Sequence, residues 1–157
     1  MSRTRTEVTL RFLAGTNDLN IYGKVHGGAV MKWMDEAAYA CAAAWCGGPC
    51  VTIYVSGIRF MHPVLVGHLV ETHAQLIYTG RTSMHIMLKV SSGTPQSRQL
   101  EEKTHSIIVF VALDAEGNPT PVEKYKPQTP DELALEQYAI ELMDVRKRIE
   151  EMVRLPS

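Results

Sequence analysis

One uninterrupted segment, residues 28–46, constrains the fold of this chain more than any other part of the sequence. It contains no proline and no internal glycine, and alanine and methionine are abundant in it. Intrinsic propensity and pattern therefore both predict a helix. One helical face carries Val30, Met34, Ala37, Cys41 and Ala44, and Ala38, Ala40, Ala42 and Ala43 spread the apolar surface almost all round. A helix of this kind is expected to be buried by its own fold.

The segments around this helix predict the sheet that covers it. Residues 7–13 alternate polar and apolar side chains, as in a half-buried strand. Four further strand candidates, rich in valine, isoleucine and threonine, lie at 51–56, 68–78, 82–90 and 104–113. Gly80-Arg81 predicts a tight antiparallel turn, and residues 91–101 predict a longer polar loop. We therefore predict an α+β fold in which a curved antiparallel sheet wraps the central helix.

The C-terminal part predicts a second helix after a proline-rich linker that ends at Pro127. Thr129 is the expected N-cap, Pro130 the first helical residue and Glu132 the third. Thr129 and Glu132 together form a capping box. The helix carries apolar residues at spacings of three and four: Leu135, Tyr138, Leu142, Val145, Ile149 and Met152. This seam favours docking on the domain, with a short coiled coil as the alternative. We divide the chain into a domain at 1–127 and a helical extension at 128–157.

Composition narrows the classes of function. A length of 157 residues is typical of one globular domain, and a formal net charge of −1 gives no reason to expect nucleic-acid or membrane binding. The odd number of cysteines (Cys41, Cys46 and Cys50) and the absence of a leader pattern before Val8 favour a reducing, cytoplasmic compartment. These cysteines lack paired C-x-x-C spacing, so no metal is expected and structural zinc is the weaker alternative.

The general signatures of phosphate binding, serine hydrolysis and zinc proteolysis are missing, which turns attention to residues 17–35. His26, Gly27 and Gly28 open the central helix, where free backbone N–H groups and the helix dipole predict an oxyanion hole. The alternative is that these glycines only let the helix start close to the sheet. Asp35 follows about two turns later on an otherwise apolar helix. We expect it to be buried and functional, the alternative being a solvated or salt-bridged carboxylate.

Two further groups carry weaker signals. A lone histidine such as His26 at a helix start is more typical of a cap or packing residue than of an acid or base. Arg81, Thr82 and Ser83 offer a guanidinium and two hydroxyls beside a turn, which suits phosphate, although an exposed arginine is ordinarily just solvated.

Several of these segments together resemble the acyl-CoA hydrolase branch of the hotdog thioesterases. The resemblance rests on Asn17, on Gly23-Lys24-Val25-His26-Gly27-Gly28 and on Met34-Asp35-Glu36. It continues through Phe60-Met61-His62-Pro63, Gly80-Arg81-Thr82-Ser83-Met84 and Glu116-Gly117-Asn118-Pro119, so that it covers most of the chain. The loop 18–22 departs from the family pattern through its bulkier residues.

The resemblance implies a hotdog fold and the hydrolysis of acyl-CoA thioesters to free CoA and a carboxylic acid. By matching position, Asp35 and Asn17 would be catalytic and Gly28 would donate its amide to the thioester carbonyl. Whether Asp35 activates water or attacks directly stays open. His26, Gly27, Arg81, Thr82 and Ser83 would contact coenzyme A, which is part of the substrate, and no cofactor would be needed.

The resemblance also implies a homodimer as the minimal unit, assembling further into a trimer of dimers, with sites between protomers. Two other functions remain in competition. A hotdog enoyl-CoA hydratase or dehydratase would need an aspartate and a histidine around the substrate, and Asp18 and His26 are the nearby pair. A non-enzymatic acyl-CoA-binding regulator would normally carry a DNA-binding segment, and neither terminus is convincing as one.

Overall fold

The computed structural model describes residues 6–153 of the chain. Within this range the elements follow in the order β1 (Glu7–Leu13), α1 (Gly27–Cys46), β2 (Cys50–Val55), β3 (Leu69–Thr79), β4 (Ser83–Gly93), β5 (Glu101–Ala112) and α2 (Pro130–Met152). The predicted loop between β1 and α1 contains one turn of 3-10 helix, Thr16–Asp18. The predicted loop at 91–101 is too long, because Ser91 and Ser92 pair with Glu102 and Glu101 and the ladder overrides their polar character.

The five strands form one antiparallel sheet in the order β1-β3-β4-β5-β2. One face of this sheet packs on α1, and the fully buried side chains there include Leu76, Met84, Ile86, Leu88 and Phe110. Burying an aliphatic or aromatic side chain of this size stabilises a fold by about 1.5–3 kcal/mol. The predicted α+β arrangement, with a sheet wrapped on the central helix, is therefore confirmed.

The second helix docks on the opposite face of the sheet. Its predicted capping box is present: the Glu132 amide donates to Thr129 Oγ1 at 3.1 Å, and the Thr129 amide donates to Glu132 Oε2 at 3.1 Å. The contacts to the sheet come from Leu135, Ala139 and Leu142, which pack against Ile77, Ile107 and Val109. The predicted seam is correct at Leu135 and Leu142 but wrong at its other positions, because the docking stripe runs through Ala139 and leaves Tyr138, Val145, Ile149 and Met152 exposed.

The edge strand β2 contains a β-bulge. Thr52 pairs with Phe110 and Tyr54 pairs with Val109, so Ile53 is the extra residue between two consecutive pairs. Phe110 belongs to the core beneath α1, and Val109 belongs to the cluster beneath α2. Residues two positions apart in a regular strand share a face. The bulge instead sends Thr52 and Tyr54 to opposite faces of the sheet.

The expectation that α1 is buried almost all round is wrong for the single chain. Val30, Met34, Ala37 and Cys41 are buried as predicted, whereas Ala44 is exposed. On the helix face that carries Asp35, Met31 is 44% exposed and Tyr39 is 47% exposed. The sheet covers one side of the helix and leaves an apolar strip open. Neither described helix has the length and apolarity that crossing a membrane requires.

Candidate active site

The N-terminus of α1 presents free backbone amides. The helix begins at Gly27, and its N-cap residue His26 makes no side-chain hydrogen bond to the first turn. The first intrahelical bond comes from the Val30 amide to the His26 carbonyl at 3.2 Å, so the preceding amides lack a helical acceptor. A Cβ at Gly27 would lie 3.3 Å from the Phe60 ring, whereas a Cβ at Gly28 would meet nothing within 4 Å. A side chain at Gly28 would therefore meet only open space, and the Gly28 amide lies in the first turn at the positive end of the helix dipole.

The loop before α1 is held by Asn20. Asn20 Oδ1 accepts from the Tyr22 amide at 2.9 Å and from the Lys24 amide at 3.1 Å, and the Asn20 amide donates to the Lys24 carbonyl at 2.7 Å. These bonds engage the side-chain oxygen and leave its NH2 group available as a donor. Asn17, the predicted catalytic asparagine, is exposed on the 3-10 turn, whereas Asn20 is half-buried. Asn20 was not among the residues predicted from the sequence, although an asparagine three residues before Gly23 is a recognisable turn signal.

A cavity of about 370 Å³ opens beside this end of the helix. Its walls include Asn20, Gly27, Phe60, Met61, His62 and Lys103. The cavity thus combines an amide side chain, a helix N-terminus and an aromatic ring, which suits a ligand with a polar carbonyl and an apolar chain.

Asp35 lies on the exposed side of α1. Its Oδ1 accepts a hydrogen bond from Thr52 Oγ1 at 2.9 Å, across from helix to strand β2. The expectation that Asp35 is buried is wrong for the single chain, because Asp35 lies beside the edge strand β2, at the border of the contact between helix and sheet, where solvent reaches it. The neighbouring Glu36 pairs with Lys32 at 3.8 Å, so the two acidic residues have different partners. Asp35 is the one tied to the sheet.

Exposed apolar side chains flank Asp35 along its helix face. Met31 and Tyr39 lie one turn before and one turn after it on α1, 44% and 47% exposed. The edge strand β2 adds exposed Ile53 and Val55, whereas its exposed Val51 lies on the face of the sheet opposite Thr52. A carboxylate in the middle of such a patch becomes sequestered once another molecule covers the patch.

Arg81, Thr82 and Ser83 lie at the other end of the molecule. They form the predicted turn between β3 and β4, closed by a bond from the Gly80 amide to the Ser83 carbonyl at 3.0 Å. The Thr82 carbonyl accepts from the Ala112 amide, and Ala112 pairs with Cys50, which follows the C-terminus of α1. Since α1 has 20 residues, it is about 30 Å long. One protomer therefore does not bring Arg81 close to Gly28.

The turn at Arg81 borders a second cavity, of about 760 Å³. Lys124 and Lys126 lie on the same cavity, with Glu136 as an acidic neighbour from α2. Three cations against one carboxylate give this groove a net positive charge, which favours phosphate groups.

The cysteines do not join either cavity. Burial raises the pKa of the Cys41 thiol to about 12. The pKa of Cys50 is likewise raised to about 12, first by burial and then by its neighbour Cys46. Both thiols stay protonated at neutral pH, which makes them poor nucleophiles.

Comparison with known proteins places these features in a family. The model of the family described as "Thioesterase superfamily" matches residues 22–98. The chain is 31% identical to Protein VdlD of Helicobacter pylori, covering 92% of this chain and 82% of that protein. It is 33% identical to the acyl-CoA thioester hydrolase YciA of Salmonella typhimurium, covering 74% of this chain and 90% of the relative.

Solved structures agree with this assignment. An apo-hexameric acyl-CoA thioesterase superposes with a TM-score of 0.88 at 29% identity, over 93% of this chain and 94% of the other. The acyl-CoA hydrolase of Staphylococcus aureus, solved with butyryl coenzyme A and coenzyme A, gives a TM-score of 0.85 at 25% identity, over 94% and 92%. Variants of that enzyme with an aspartate, an asparagine or a threonine replaced by alanine have also been solved. The chain therefore belongs to the thioesterase superfamily, and within it to the branch of hotdog-fold acyl-CoA hydrolases.

Proposed function

We propose that the chain hydrolyses acyl-CoA thioesters with Asp35 as the catalytic carboxylate. The observation that carries this proposal is the hydrogen bond from Thr52 Oγ1 to Asp35 Oδ1 at 2.9 Å. It orients a carboxylate that has no lysine or arginine within ion-pair distance among the described residues. An oriented carboxylate without a cationic partner is suited to act as a base or nucleophile.

The residue spacing of the S. aureus hydrolase supports the same group of side chains. In that enzyme the replaced asparagine precedes the replaced aspartate by fifteen residues, and the replaced threonine follows the aspartate by seventeen. Asn20, Asp35 and Thr52 have the same two spacings in this chain. The proposal therefore adds Asn20 and Thr52 to the predicted residues and sets Asn20 beside Asn17 as the candidate asparagine.

In the proposed reaction the Gly28 amide and Asp35 have different roles. The Gly28 amide donates to the thioester carbonyl oxygen and stabilises the negative charge that develops there. Asp35 either removes a proton from water as it attacks the carbonyl carbon, or attacks that carbon itself to form an anhydride that water then opens. In both routes the carbon–sulfur bond breaks, the CoA thiolate leaves and takes up a proton, and the acyl group leaves as a carboxylic acid.

The distance between Gly28 and Asp35 favours two protomers in one site. They are seven residues apart on α1, about 10 Å along the helix axis. Reacting atoms must approach to about 3–3.5 Å, and two groups on facing helices can approach one thioester more closely than two groups separated along one helix. We propose a homodimer in which Gly28 and an asparagine of one protomer face Asp35 of the other. The exposed apolar patch around Asp35 and the open edge of β2 supply the contact surface.

The proposed assembly continues beyond the dimer. A trimer of dimers agrees with the hexameric state of the related thioesterase. In a two-fold dimer whose axis runs perpendicular to α1, the two copies of the helix are antiparallel, so elements from opposite ends of two protomers lie side by side. The groove at Arg81 of one protomer then approaches the Gly28 end of another, and we assign its cations, Arg81, Lys124 and Lys126, to the phosphates of coenzyme A. Thr82, Ser83, His26 and Gly27 complete the proposed contacts to coenzyme A.

The proposal includes no metal and no cofactor, because a carboxylate, water and backbone amides suffice for thioester hydrolysis. It places the protein in the cytoplasm, as the name of a mouse relative, cytosolic acyl coenzyme A thioester hydrolase, suggests at 32% identity. The chain spans about a third of that relative's length.

The test compares Asp35→Asn with the matched control Glu36→Gln on the next residue of α1. Free thiol release from a series of acyl-CoAs is measured, with mass spectrometry of the products. We expect Asp35→Asn to lower kcat at least about a hundredfold and Glu36→Gln to stay near the unmodified enzyme. A folded Asp35→Asn protein with normal turnover would reject the assignment. Conversion of an added 2-enoyl-CoA to 3-hydroxyacyl-CoA, with no free acid and no free CoA, would favour the hydratase alternative, and binding without any product would favour the regulator.

A further inference from the structure

The bulge at Ile53 connects the proposed catalytic group with the C-terminal helix. On one side of the sheet Thr52 donates to Asp35. On the other side the ring of Tyr54 lies under the guanidinium of Arg146, with 4.6 Å between Cζ and the ring centroid. Since only Ile53 separates Thr52 from Tyr54 along the chain, a contact that holds Tyr54 also restrains the backbone that carries Thr52.

Arg146 is placed to hold Tyr54. Its side chain is 28% exposed, and its Nε lies 3.6 Å from Glu150 Oε1 one turn further along α2. Arg146 and Tyr54 also line a small void with His85 and Leu142. A half-buried guanidinium over a tyrosine ring is attracted to it by about 0.5–2 kcal/mol, enough to bias the position of one strand segment.

Because β2 is an edge strand with a bulge, the contact between Arg146 and Tyr54 can affect its position. Among the described residues β2 pairs with β5 alone, and its own residues Val51, Ile53 and Val55 are exposed. The bulge interrupts the ladder at the point where the strand carries Thr52. Because the bulge interrupts the ladder there, the side-chain contacts of Thr52 and Tyr54 add to what holds this segment, also when a second protomer covers the edge of β2.

We propose that Arg146 is a positioning residue for hydrolysis: through Tyr54 it holds the bulge of β2 so that the Thr52 hydroxyl stays on Asp35. This inference rests on the proposed roles of Asp35 and Thr52. It assigns a part in the rate of the reaction to residues of α2 that pack on the face of the sheet opposite Asp35.

The experiment measures kcat and KM for Arg146→Met, with Arg148→Met as the matched control on an exposed arginine of the same helix. Methionine keeps an apolar stem of similar length and removes the charge. We expect Arg146→Met to lower kcat about tenfold with KM nearly unchanged, Arg146→Lys to recover most of kcat, and Arg148→Met to have no effect. Tyr54→Leu should reproduce Arg146→Met, and Tyr54→Phe should behave as the unmodified enzyme. If Arg146→Met fails to fold, the two variants Tyr54→Leu and Tyr54→Phe supply the same comparison.

A double-mutant cycle with Thr52→Val separates positioning from loss of stability. If Arg146 acts through Thr52, Arg146→Met lowers kcat in the unmodified enzyme and not in the Thr52→Val background. An equal loss in both backgrounds would overturn the inference, and so would an unchanged kcat for folded Arg146→Met when Thr52→Val is impaired. Those two results leave the proposed function standing. A Thr52→Val protein with full activity would instead remove Thr52 from the proposed function, and the positioning role with it.

Discussion

Subunit mixing tests the shared site most directly. The two inactive partners are Asp35→Asn and Asn20→Asp. Aspartate at position 20 keeps the side-chain oxygen that accepts from the Tyr22 and Lys24 amides, so the loop keeps its bonds while the NH2 donor is lost. If each site takes Asp35 from one protomer and Asn20 from the other, a mixed dimer has one site with both native residues and one site with neither.

The expected recovery follows from this geometry. Random reassociation of equal amounts makes about half of the dimers mixed, and each regains one of its two sites, so activity rises from near zero to about a quarter of the unmodified enzyme. Thiol release is measured before and after exchange, and native mass spectrometry of one labelled partner verifies that exchange has occurred. A control mixes Asp35→Asn with the double variant Asp35→Asn, Asn20→Asp, which has no route to an intact site. Absence of recovery after verified exchange would refute the shared site. A parallel mixture with Asn17→Ala shows which asparagine belongs to it.

Two further predictions concern the basic groove and the core beneath α2. Arg81→Ala should raise KM for acyl-CoA about tenfold with a smaller effect on kcat, and the increase in KM should be smaller at high salt. The control Arg98→Ala, at an exposed arginine, should leave KM unchanged. An unchanged KM for Arg81→Ala would remove Arg81 from the phosphate site. Burial, and after it the charge of Arg146, lower the pKa of His85 to about 4 from 6.5, so the unfolded chain takes up the proton first as pH falls. The free energy of unfolding should therefore drop by up to about 3 kcal/mol between pH 6.5 and pH 4, and chemical denaturation of His85→Gln should lack that part of the slope.

Elements set by local pattern were predictable from the sequence. The alternating pattern predicted a strand at residues 7–13, and β1 spans Glu7–Leu13. The capping box at Thr129 and Glu132 forms as predicted. Both depend on residues within one turn or one strand of each other. The prediction of α1 was one residue short at its start, because Gly27 adopts the helix although its side chain gives no propensity for it.

The features that depend on distant pairing were not predictable. The contact between Thr52 and Asp35 exists because the register of β2 against β5 shifts at Ile53. A regular strand would have sent Thr52 and Tyr54 to the same face. No local pattern in residues 50–55 marks that bulge, since valine, threonine, isoleucine and tyrosine all suit a regular strand.

The wrong expectation about Asp35 has a physical explanation in the same terms. An apolar pattern indicates surface that is buried in the functional assembly, whether by folding or by association. The apolar pattern of α1 includes Met31 and Tyr39, which are exposed in one protomer. In the proposed dimer this strip and the edge of β2 are covered together. Asp35 then lies in a site closed by the second protomer, where it is sequestered from bulk water by association instead of by folding. On this argument, a single protomer would carry Asp35 and Thr52 in the right geometry and still be inactive, because the Gly28 amide that faces Asp35 in the proposed dimer belongs to the second protomer.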